Sequence, residues 1–170
     1  LVNYVNYLAD VNYGYVSYAK SFEGIGNFAL GMQYINYGDF REATEFGELT
    51  GNNFTAAEYA LNIIYSNQYK RLRYGANLKP ILSVFESYQS FGIAADLGIS
   101  YQSKNKFTNV ALVARNIGTQ ITTYYDNGSR EPIPFNLQAG ISSRLQHAPV
   151  ILSFTLQNLN NWDLANPEPV

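Results

Sequence analysis

The chain has no cysteine, one histidine and few charges, with Lys, Arg, Asp and Glu together making 14% of 170 residues. The missing cysteine excludes disulfide and thiolate–metal frameworks and leaves the redox compartment undetermined. A charged fraction this far under the about 25% of a soluble domain is a poor inventory for a solvated surface. The net charge of −2 provides no basic field of the kind that recognises nucleic acid. Long apolar runs are also missing: none approaches the roughly 18 residues that mark a spanning helix. The opening "LVNYVNYLAD" has no basic segment followed by an apolar one, which says nothing about export in a chain that does not begin with Met.

What is present is aromatic and alternating. There are 15 Tyr and 10 Phe, and strand signals recur near 2–9, 12–20, 25–37, 54–67, 71–85, 90–102, 107–117, 134–145 and 149–158 without an amphipathic helix between them. The stretch "FGIAADLGISYQ" shows the pattern. Phe91, Ile93, Ala95, Leu97, Ile99 and Tyr101 form one string, and Gly92, Ala94, Asp96, Gly98, Ser100 and Gln102 the other. This is a strand with a greasy face and a small, polar face that carries a carboxylate. The same split sets Phe28, Leu30, Met32 and Tyr34 against Asn27, Ala29, Gly31 and Gln33, and Tyr74, Ala76, Leu78 and Leu82 against Arg73, Gly75, Asn77 and Lys79.

Every greasy face needs a partner, and the sequence offers no helices to cover them. A sandwich would pair the faces with one another; a membrane barrel would turn them to lipid. Several strands run to about a dozen residues, nearer the 9 to 11 of a tilted transmembrane strand than the 5 to 6 of globular sheets. Tyr37, Tyr69, Tyr88, Tyr101, Tyr124 and Tyr125 near strand ends fit an interfacial girdle. Connections also alternate, with short turns at one end of the sheet and both long loops, 38–53 and 118–133, at the other. That asymmetry predicts an all-β, transmembrane antiparallel barrel with extracellular long loops. Nine strands is an odd number, so residues 1–170 are expected to form part of a single, larger barrel domain.

On a closed barrel the small, polar faces line the lumen. Asp96 is then expected among Glu58, Arg73, Lys79, Arg115 and Arg144, a mixed-sign network that reads as a rigid plug, with a polar channel as the alternative. Other motifs carry less. "GIGNFA" from Gly24 approximates a phosphate fingerprint but precedes a strand, not a helix. His147 sits in a turn before Pro149 with no nucleophile constellation. Asp39, Glu42, Glu45 and Glu48 lack EF-hand spacing and read as a solvated acidic loop. The triplets at Asn53 and Asn127 match a glycosylation pattern, and "DNG" is turn chemistry. No catalytic, cofactor or metal residue is assigned.

Particular strings go beyond periodicity. "YVSYAKSFEGIGNFALGMQYINYGDFREATEFGELTG", "YGANLKPI", "ESYQSFGIAADLGISY", "VARNIGTQIT" and "FNLQAGISSRLQHAPV" resemble the PorV/PorQ group of outer-membrane barrels in the Bacteroidota type IX secretion system. The resemblance implies a FadL-like barrel of fourteen strands when complete. It also implies a non-enzymatic role in the surface attachment complex of PorU, PorV and PorZ, where cargo is joined to lipopolysaccharide. The barrel would anchor PorZ in the lipid of the outer membrane, while PorU supplies the protease and sortase chemistry. The alternative is a FadL-like transporter of a hydrophobic small molecule. Aromatic and Arg residues are the usual binding hot spots, so Phe40, Arg41 and Phe46 in the first long loop and Tyr124, Tyr125 and Arg130 in the second are the candidate partner contacts.

Overall fold

The computed structural model describes residues 1–125, 128–146 and 148–161. Nine strands follow one another as β1 (Val2–Asn6), β2 (Asn12–Phe22), β3 (Gly26–Ala43), β4 (Leu49–Tyr69), β5 (Leu72–Phe85), β6 (Tyr88–Gln102), β7 (Thr108–Thr122), β8 (Asn136–Arg144) and β9 (Ile151–Leu156). They form one antiparallel sheet in sequence order, a meander in which each strand pairs with the next. The sheet is open, with β1 and β9 at its edges. A single 3₁₀ turn, Leu8–Asp10, links β1 to β2. The sequence-based strands all recur, and the connections β2–β3, β4–β5, β6–β7 and β8–β9 lie at the opposite end from β1–β2, β3–β4, β5–β6 and β7–β8. No helix among the described residues is long and apolar enough to cross a membrane, which says nothing of crossing by strands.

One expected loop is not a loop. Residues 38–53 continue the β3–β4 hairpin, whose connection shrinks to 44–48. Gly and charged residues read as loop chemistry, yet ladder pairing persists from Asp39↔Thr55 through Arg41↔Asn53. The strands therefore outrun their neighbours and project past the rest of that end. His147 and Asn127 lie outside the described residues.

Register assigns the side chains to two faces. On the outer face, apolar residues run across the strands in rows: Tyr18, Leu30, Ile63, Leu78, Ala95 and Ile117 in one, and Leu72, Tyr101, Val110, Ile141 and Phe154 in another. Most of these side chains are exposed, Tyr18 at 72% and Phe154 at 62%. The inner face is small and polar, as in the row Asn27, Ser66, Gly75, Gly98 and Val113. Among the described residues no large side chain is fully buried, and the buried apolar side chains are Ala56 and Ala94. This is a single layer without a core, held by its hydrogen-bond ladders and cross-strand pairs. In water such a sheet leaves its apolar face without the burial that normally offsets chain entropy.

Among four register shifts in the ladders, two bulges place residues of the inner face. At the first, Tyr37 and Gly38 together oppose the gap between Asn36↔Ala57 and Asp39↔Thr55. Gly38 adopts φ 81°, and a Cβ there would lie 2.8 Å from the Ala9 carbonyl oxygen, so glycine is required on both counts. The extra residue turns Phe40 to the inner face, opposite Phe54. At the second, Arg115 and Asn116 together oppose Asp96. Asn116 takes φ 58°, a region that Asn tolerates better than most residues.

Candidate functional site: a polar inner face and an aromatic mouth

The middle of the inner face is a hydrogen-bonded cluster that spans four strands. Lys79 Nζ on β5 donates to Asp96 Oδ1 at 2.7 Å and to Asn116 Oδ1 at 2.5 Å. Asp96 also accepts the Asn116 backbone N–H at 2.9 Å and the Asn77 side-chain amide at 3.3 Å. Asn77 Nδ2 donates onward to Asn62 Oδ1 on β4 at 2.9 Å, and Asn116 Nδ2 to the Pro134 carbonyl just ahead of β8 at 3.1 Å. The side chains of Lys79 and Asp96 are 12% and 20% exposed, so the pair is shielded but not sealed. Its Coulomb attraction is therefore stronger than that of a surface pair, and the surrounding amides satisfy much of what desolvation removes.

Of the six expected network members, the structure joins Lys79 and Asp96, the one ion pair among the described residues. Arg73 is exposed and donates to Gln68 at 3.3 Å instead. Arg115 and Arg144 are exposed and unpaired with any carboxylate, and Glu58 lies toward the long-loop end, opposite Ser83. The correction has a geometric cause. Inner-face residues share a side, but Arg73, Arg144 and Glu58 lie several positions along their strands from the pair, at about 3.3 Å per residue too far to join it, while at the bulge opposite Asp96 it is Asn116, not Arg115, that supplies the contacts. The partners that sequence reasoning passed over are amides: Asn62, Asn77 and Asn116. Asn62 and Asn77 are visible on the polar strings; Asn116 is signalled by the break in alternation at "VARNIG".

At the long-loop end the inner face becomes aromatic. Phe40 stacks on Phe54 at 5.3 Å, and Phe54 meets Phe85 at 5.3 Å, so three rings cross β3, β4 and β5. Tyr88 and Tyr125 pack at 4.6 Å beside them. Residues 123–125 and 128–135 fold back over the sheet. Tyr124 donates its hydroxyl hydrogen to Ser83 Oγ at 2.6 Å, and the Glu131 backbone N–H donates to Gln120 Oε1 at 2.6 Å. Gln120, 7% exposed, in turn donates to Ser90 Oγ at 2.6 Å, and Ser90 to the Thr122 carbonyl at 2.9 Å. Every polar group in that chain of contacts finds a partner, which fixes the segment without a hydrophobic core.

The candidate partner residues separate accordingly. Arg41, Phe46, Tyr125 and Arg130 are exposed, Phe46 at 86% on the hairpin tip. Phe40 and Tyr124 turn toward the mouth. The expected tyrosine girdle divides as well. Tyr69 and Tyr101 stand on the outer face near the short turns, where Phe28 packs against Tyr65 at 5.1 Å. Tyr88 and Tyr124 belong to the inner mouth, and the outer face at that level carries the Tyr34–Tyr59 pair, 5.1 Å apart.

No family model, curated protein or solved structure matches the chain. The functional reading therefore stands on the sheet itself and on the quoted sequence strings. Glu42 lies on the projecting hairpin, where its carboxylate accepts from Thr50 at 2.6 Å and Asn52 at 2.9 Å. Those donors hold its pKa below the usual carboxylate value, the Thr50 hydroxyl contributing most.

Proposed function

We propose that this sheet is the wall of an outer-membrane β-barrel that anchors a surface partner, and that the partner is PorZ of the PorU–PorV–PorZ attachment complex. The observation that carries the membrane reading is the unbroken apolar outer face over a coreless sheet. From Phe91 to Tyr101 that face runs roughly 33 Å at about 3.3 Å per residue, and a strand tilt of about 40° projects it to about 25 Å, the height of a barrel's apolar band. Lipid supplies the partner that no second layer supplies here. Open edges are not tolerated in hydrocarbon, so β1 and β9 are expected to meet further strands of a larger barrel.

The anchoring role rests on the resemblance to the PorV/PorQ group together with the projecting hairpin and the exposed Arg41, Phe46, Tyr125 and Arg130. A transporter for a hydrophobic small molecule needs a continuous apolar path. The cluster of Asn62, Asn77, Lys79, Asp96 and Asn116 interrupts one across the middle of the inner face, which favours the anchor. Pull-down of the intact protein from detergent tests the reading. Recovery of PorZ with the wild type and its loss with a Tyr125→Ala/Arg130→Ala variant that remains in the membrane is the expected result. Retention of PorZ by that variant, and by one with residues 40–50 replaced by a Gly/Ser linker, would remove these surfaces as the anchor.

A further inference from the structure

The aromatic mouth forms an open cleft of about 430 Å³ with an unusual combination of walls: the rings of Phe40, Phe85, Tyr88 and Tyr124, and the carboxylates of Glu58 and Glu131. No Lys or Arg lines it, and neither carboxylate has an ion-pair partner among the described residues. We propose that this cavity binds an organic ammonium group, either the side chain of a lysine presented by a protein or a small quaternary ammonium.

The chemistry selects that class. Ring faces carry negative quadrupole and attract cations, most strongly where water is partly excluded, and two carboxylates without cationic partners among the described residues add charge of the same sign. An anion would meet both carboxylates with no cationic side chain to offset them, and a purely apolar group would desolvate them for no return. A bare divalent ion fits poorly, since it demands six or more oxygen ligands and the walls are mainly carbon. An alkylated ammonium satisfies both kinds of wall at once, its carbons against the rings and its charge toward the carboxylates. The site is built by tertiary structure from four separate places: the Gly38 bulge brings in Phe40, β4 brings Glu58, the β5–β6 turn brings Phe85 and Tyr88, and the folded-back segment brings Tyr124 and Glu131. The inference does not depend on the identity of the surface partner, because it uses only the cavity.

The test is calorimetric titration of the intact protein in detergent with choline chloride, with an acetylated Gly-Lys-Gly amide, and with the same peptide carrying norleucine in place of lysine. At least one ammonium probe is expected to bind saturably with a Kd of about 1 mM or tighter, and the norleucine peptide not to bind in that range. Glu58→Gln and Glu131→Gln are each expected to weaken the binding about tenfold, and Tyr88→Leu several-fold. Glu131 lies on the connecting segment, so its variant serves if Glu58→Gln does not fold. Choline binding alone would assign the site to a small quaternary ammonium; binding of the lysine peptide would assign it to a protein side chain. Saturable binding of the norleucine peptide as tight as that of the lysine peptide, or no saturable binding of either ammonium probe to folded protein, would overturn the proposal.

Discussion

Asn116 turns its backbone N–H onto the carboxylate of Asp96, 2.9 Å away, from a left-handed backbone conformation at φ 58°. The bulge that makes this possible also delivers Asn116 Oδ1 to Lys79, so one irregular residue completes the coordination of the inner ion pair from both sides. The bulge and the charge pair therefore form a single device.

Substitutions within that device should not be additive. Asp96→Leu leaves Lys79 with one amide oxygen in place of a counter-ion, and partial shielding sets the cost near the lower end of the range for broken buried pairs, about 3 kcal/mol. Lys79→Met strands Asp96 in the same way. The double variant removes both charges and is expected to cost clearly less than the sum of the two. Heat-modifiable gel migration of all four proteins would measure the cycle, and additive losses would show that the two charges do not interact.

At position 116 the backbone and the side chain can be separated. Asn116→Gly keeps the positive φ and the N–H to Asp96 but loses the bond to Lys79, whereas Asn116→Val must also bear a conformation that β-branched residues avoid. The valine variant is expected to be the less stable by at least about 1 kcal/mol, read from the same thermal assay. Equal stability would indicate that the bulge relaxes into regular strand.

The close approach of β6 and β7 gives a third expectation. A Cβ at Gly118 would collide with the Ile93 carbonyl oxygen and lie 2.6 Å from Ala94 Cα, both of them backbone atoms that a side-chain rotation cannot move aside. Gly118→Ala is expected to destabilise the sheet by about 1 to 3 kcal/mol through forced backbone displacement. Gly98→Ala, on the neighbouring strand with only a methyl of Val113 at 3.9 Å, is the control and should be nearly neutral. A reversed order of the two would contradict the assigned register.

Position on the sheet should decide how a charge is tolerated. Leu78→Arg places a cation in the middle of the outer apolar face and is expected to cost about 2 to 4 kcal/mol of barrel stability in lipid, while Ser66→Arg on the inner face is expected to cost much less. Fractionation and proteolysis of both variants in membranes would compare them. If both insert equally well, the outer face does not meet hydrocarbon.

The hairpin tip supplies a pH expectation. The Glu42 pKa is lowered in the folded protein, so the ionised carboxylate stabilises the tip above the ordinary value of 4.5 and the contribution is lost as pH falls below it through the folded pKa. The Asn52 side-chain amide resonances should shift toward free values as acid is added, and should not respond in Glu42→Gln. Pairing of the adjacent strands ought to survive, since the ladder at Arg41↔Asn53 and Ala43↔Leu49 is made by backbone groups.

The sequence by itself determined the number of strands, their order of faces and, where the strands are regular, the side on which the polar residues lie. Period-two alternation is a local consequence of the pleat, so Phe91 through Tyr101 can be sorted without knowing what surrounds them. It also exposed Asp96 and Lys79 as charges on the same small-residue face. Which of the six inner charges meet was decided by tertiary structure alone, because register between strands sets distances that a single strand does not contain. Only Lys79, diagonally beside Asp96, pairs with it; Arg73 and Arg144 stand apart from any carboxylate, and Arg115, at the bulge opposite Asp96, forms no ion pair among the described residues. The same holds for Phe40: simple alternation from Phe28 would send it outward, and the extra residue at Gly38 turns it in. Bulges, strand register and the folding back of residues 123–125 and 128–135 are long-range choices, fixed by pairing energies between segments far apart in the chain. They assemble the polar cluster and the aromatic mouth; the alternation of small and greasy residues only prepares the two faces on which they form.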